Sequence, residues 1–127
     1  MEFIKHLKNI YNINSEEKRK ICLMCGGLPP AEILPQKSEG IGFNNGLMLS
    51  IQGSFGHYCF PRKTLPYNQY KSMEFALCNE QGFVNVKEYL NTDEYDTYFD
   101  GSVYGYVPIE LIEKLYQALK SKYGLKR

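Results

Sequence analysis

With 127 residues, 43% of them apolar and 23% charged, the chain has the size of one globular domain, residues 1–127, whose core needs no disulfide staples. A formal net charge of +1 argues against a dedicated nucleic-acid binder, whose surface is normally strongly basic. No apolar run reaches membrane-spanning length, and Met1 to Lys8 lacks the apolar stretch of a signal peptide. A cytoplasmic protein with four reduced thiols is therefore expected.

Phe3, Ile4, Leu7, Ile10 and Tyr11 fall on one helical face with lysines opposite, which predicts a first helix over residues 3–11. Ser15 has N-cap chemistry, and Glu16 and Glu17 suit the first turn of a second helix, where the dipole favours anions. That helix stops by Gly26-Gly27, ahead of Pro29-Pro30. Residues 35–46, rich in glycine and asparagine, read as a loop.

Leu47, Leu49 and Ile51 then alternate with Ser50 and Gln52, the pattern of a half-buried strand. Gly53 to Gly56 turns the chain, and His57 to Phe60 reads as a short strand pairing back. Met73, Phe75 and Leu77 mark the inward face of a strand over 73–78. Asn79 to Gly82 is a four-residue hairpin loop, Phe83 to Lys87 the returning strand, and Val103 to Val107 the last one. A closing helix completes the chain: Pro108 at its first position, Leu111, Ile112, Leu115 and Leu119 as its buried stripe, and Gly124 as its stop. The expected fold class is α+β, a mainly antiparallel sheet of four to five strands with N-terminal helices and a C-terminal helix.

Gly53 to Arg62 concentrates chemistry, holding one of two histidines, one of four cysteines and one of three arginines. Cys22 and Cys25 form a Cys-x-x-Cys turn followed by glycines, which resembles half of a zinc-ribbon knuckle. His57 and Cys59, at i and i+2 on the expected strand, would supply the remaining ligands of a structural zinc; reduced, buried thiols are the plainer alternative, with no cofactor. The same two residues, as base and nucleophile, would define a small hydrolase, and His57, Tyr58, Arg62 and Lys63 a ribonuclease. A strand histidine bonded to a carbonyl and a half-buried cysteine need no function at all.

In a lysine-dominated chain, Arg62 offers a planar fork for phosphate or carboxylate, or for an internal ion pair with Glu74. Eight of the eleven tyrosines lie between Tyr58 and Tyr106. Strand alternation puts Tyr104 and Tyr106 on one face, so that Tyr58, His57, Tyr104 and Tyr106 with Arg62 would line a groove for a nucleotide-like anion, or simply cover the sheet. Asp93, Glu94, Tyr95, Asp96, Tyr98 and Asp100 mix carboxylates with aromatics, which suits a protein partner with a basic surface, or a solvated loop. These readings define three function classes. A non-enzymatic inhibitor, of the immunity-protein or phage-antagonist kind, ranks first. A small-ligand sequestering protein ranks second, and a small hydrolase or ribonuclease third.

Overall fold

The computed structural model describes residues 1–10 and 34–126. The expected second helix, with Cys22 and Cys25, lies outside the described residues. Among the described residues, six strands and one long helix make an α+β arrangement: β1 (Ile41–Gly42), β2 (Met48–Gln52), β3 (Ser72–Asn79), β4 (Gly82–Val84), β5 (Phe99–Asp100), β6 (Val103–Pro108) and α1 (Ile109–Tyr123). All pairings are antiparallel, in the order β1-β2-β3-β6-β5, with β4 also on β3. The eight residues of β3 accommodate both: β6 pairs along Ser72–Phe75 and β4 along Leu77–Asn79.

Alternation sends Leu49, Ile51, Met73, Phe75 and Leu77 into the core, as their spacing requires. Ile112, Leu115, Tyr116 and Leu119 of α1 close over that face, with Leu111 only partly buried. Pro108 precedes the helix as its cap residue, and Gly124 ends it at φ 78, a conformation glycine adopts at no steric cost. Asn79 pairs with Gly82, so the hairpin tip is Glu80-Gln81, tighter than the expected four-residue loop.

Several sequence expectations change: the sheet has six strands among the described residues rather than four to five, because β1 forms inside the expected 35–46 loop and β5 inside the acidic stretch. The described part of the expected first helix, residues 3–10, is not helical: a single 3-10 turn, Phe3–His6, gives way to extended backbone at Leu7, and Tyr11 lies outside the described residues. Ile10 N–H donates to the Lys37 carbonyl and Glu39 N–H to that of Lys8, so pairing across the chain overrides the helical period. Of residues 3–10, Phe3 alone is fully buried, held over α1 by its N–H on Glu113 and by the Glu2–Lys120 ion pair at 2.8 Å. His57 to Phe60 is a turn rather than a strand, and its one ladder contact with the sheet among the described residues is the bridge from Phe60 to Ser72. Beyond Val84 the returning strand becomes a 3-10 turn, Val86–Glu88, because Asn85 and Glu88 form a reciprocal capping box.

Candidate functional site

Segment 53–62 follows β2 and meets β3 where Phe60 bridges Ser72. Gly53 opens it because a Cβ there would lie 2.8 Å from the Tyr70 ring. Ser54, a buried residue with no signal in the sequence, organises the turn. Its Oγ accepts from Gly56 N–H and sits 2.6 Å from His57 Nδ1. Burial pushes His57 below its ordinary 6.5, opposed by the Glu74 carboxylate. The Ser54 carbonyl accepts from His57 N–H and, at 3.2 Å, from the Cys59 thiol.

Cys59 is fully buried, and burial raises its thiol above the usual value. A thiol that donates to a carbonyl and is disfavoured as thiolate is poorly set up as nucleophile or metal ligand. His57 and Cys59 do not share a strand face, since residues 57–59 turn. Among the described residues, no three His, Cys, Asp or Glu side chains group to hold a metal ion. A cavity of about 440 Å³ lies beside His57, lined among others by Ser50, Gln52, Ser54, Phe55 and Lys37. The Gln52 amide is committed internally, bonding Ser38 N–H, the Ser38 carbonyl and Ser50 Oγ.

Tyr58 turns the other way. Its carbonyl accepts from Tyr106 N–H at 2.9 Å, tying the segment to β6. Gly105 allows this approach, as a Cβ there would meet the Tyr58 Cβ at 3.0 Å. Here β6 carries a bulge: the two-residue step Met73–Phe75 on β3 faces the three-residue step Tyr104–Val107. The bulge separates the two tyrosines expected on one face. Tyr104 goes inward, fully buried, stacked on Phe75 at 4.4 Å and accepting from Val86 N–H. Tyr106 goes outward at φ 55, 48% exposed, its ring 5.8 Å from that of the 41%-exposed Tyr58.

Arg62 makes no ion pair with Glu74; its guanidinium lies over the Tyr58 ring at 5.4 Å, while Glu74 accepts from Tyr58 N–H. The acidic stretch is divided. Tyr95 is a core residue, edge-on to Phe75, its hydroxyl on the Leu111 carbonyl and pushed up to about 12 by burial. Glu94 pairs with Lys114 at 2.7 Å and Asp96 with Lys87 at 2.8 Å, so neither offers free charge. Asp93 and Asp100 stay exposed.

Tyr98 and Asp100 join Tyr58 and Tyr106, with Thr97, Phe99 and Gly105, around a second hollow of about 490 Å³. Two sequence candidates, the tyrosine groove and the acidic loop, thus contribute to one face. Thr97, Phe99 and Gly105 were not anticipated there; glycine between two strand tyrosines is the bulge signal that marks the place. No protein-family model, curated protein or solved structure matches this chain. Among the described residues, no helix is long and apolar enough to cross a membrane.

Proposed function

We propose that this chain is a non-enzymatic binding protein that docks a protein partner through the face of Tyr58, Tyr98, Phe99 and Tyr106. Its action on that partner is inhibitory, of the immunity-protein or phage-antagonist kind. The observation that carries this reading is Tyr106, a bulky residue held at φ 55 with its ring in solvent. Such backbone costs on the order of 1–3 kcal/mol, and strain of this kind accumulates at functional sites. Turned inward, the ring would be buried; turned outward beside Tyr58, it makes an aromatic anchor of the type that dominates interfaces.

The nucleotide-like anion reading uses the same tyrosines with Arg62. It ranks second because, among the described residues, the charged group lining this hollow is the Asp100 carboxylate, which repels phosphate. The hydrolase reading ranks third, resting on a thiol that is buried and protonated.

The test is affinity capture from an extract of the source organism, with wild type, Tyr106→Gly and His57→Gln compared by quantitative mass spectrometry. A protein retained by wild type and His57→Gln but lost with Tyr106→Gly is the expected result. Equal retention by all three baits would remove the face from the account.

A further inference from the structure

We infer that the hollow between Tyr58, Tyr98, Phe99 and Tyr106 accepts an arginine side chain from a basic segment of the partner, with Asp100 as its counter-charge. The inference rests on the docking face proposed above and names what enters it. Among the described residues, four aromatic rings and one carboxylate line the hollow, and no cationic side chain does. Ring faces carry negative quadrupole potential, so the walls and Asp100 favour the same sign of guest. Asp100 is exposed and belongs to none of the ion pairs of the described residues, whereas Glu94 and Asp96 nearby are neutralised by lysines.

Guanidinium is favoured over ammonium for two reasons. Its plane stacks on aromatic rings while its fork meets a carboxylate with two hydrogen bonds. The chain itself provides the precedent at the rim: the Arg62 guanidinium already lies over Tyr58 at 5.4 Å. Gly105 keeps the floor open, and the bulge holds Tyr106 against Tyr58 so that two walls are fixed before binding.

The test is an amide-resolved NMR titration of the full chain with three acetylated, amidated pentapeptides, Gly-X-Gly-X-Gly, where X is arginine, lysine or glutamate. The expected result is saturable shifts confined to Thr97–Asp100 and Gly105–Tyr106 with the arginine peptide, weaker with lysine and none with glutamate. Asp100→Asn, at an exposed position that leaves the fold intact, should weaken the arginine peptide about ten-fold. Absent or scattered shifts, equal shifts with lysine or glutamate, or an indifferent Asp100→Asn would overturn the assignment. Should that happen while Tyr106→Gly still abolishes partner capture, the docking face stands and only its cationic guest is lost.

Discussion

Tyr104 and Tyr106 are two residues apart and do opposite work. Tyr104 fills the core against Phe75 and receives the Val86 N–H, so Tyr104→Ala should cost about 3–5 kcal/mol. Tyr106 packs outward and is held in the left-handed region, where glycine rests without strain. Removing its side chain relieves that strain while adding backbone freedom to the unfolded chain, so Tyr106→Gly should stay within about 1 kcal/mol of wild type. Urea denaturation of both variants checks the pair; a Tyr106→Gly as damaged as Tyr104→Ala would mean the ring is structural. His57 makes a separate prediction. Its folded value lies below 6.5, so the unfolded chain binds the proton more readily. The stability it contributes is complete above 6.5 and is lost as the pH falls from there through the lower folded value. Denaturation midpoints between about pH 8 and pH 5 should therefore fall less steeply in His57→Gln than in wild type.

At the level of elements, what the sequence discloses depends on whether a pattern is local. The alternation of Leu49 and Ile51, of Met73, Phe75 and Leu77, and the stripe on α1 needed only their own period, and each element formed where expected. Residues 3–11 carried an equally good helical period, yet the backbone of residues 8–10 pairs with residues 37–39, about thirty positions away, which no local pattern reveals. Phe3→Ala should accordingly cost about 3–5 kcal/mol, whereas Ile10→Ala, at a side chain 50% exposed, should fall within about 0.5 kcal/mol. Comparable losses in the two variants, by chemical denaturation, would favour the helix instead. The candidate site was legible in the same uneven way. Tyr58, Arg62, Tyr98, Asp100 and Tyr106 stood out by residue type, but their convergence depends on a bulge whose one local signal is Gly105. Tyr104 was assigned to the groove because strict alternation ignores an inserted residue, and Tyr95 to the loop surface because its neighbours are acidic. Ser54 gave no signal, since its role is a hydrogen-bond hub that exists only once the turn is made.

Over the whole molecule, the two outward features lie on different parts of segment 53–62. His57 faces a cavity whose polar walls bond one another, while Tyr58 belongs to a hollow of open rings and the exposed Asp100 carboxylate. A net charge of +1 supplies little overall steering, so recognition of a partner depends on this local contrast of aromatic and acidic groups. Exposure by itself does not single the face out: Phe55 at 54% and Phe83 at 62% are both more exposed than Tyr58. That inequality makes photo-crosslinking from inside the cell the most direct test. Benzoylphenylalanine would be placed in turn at positions 55, 58 and 83, and the chain irradiated in its source organism. The account expects one discrete adduct with another protein from position 58 and none from 55 or 83. Adducts from 55 or 83 with position 58 silent would contradict it.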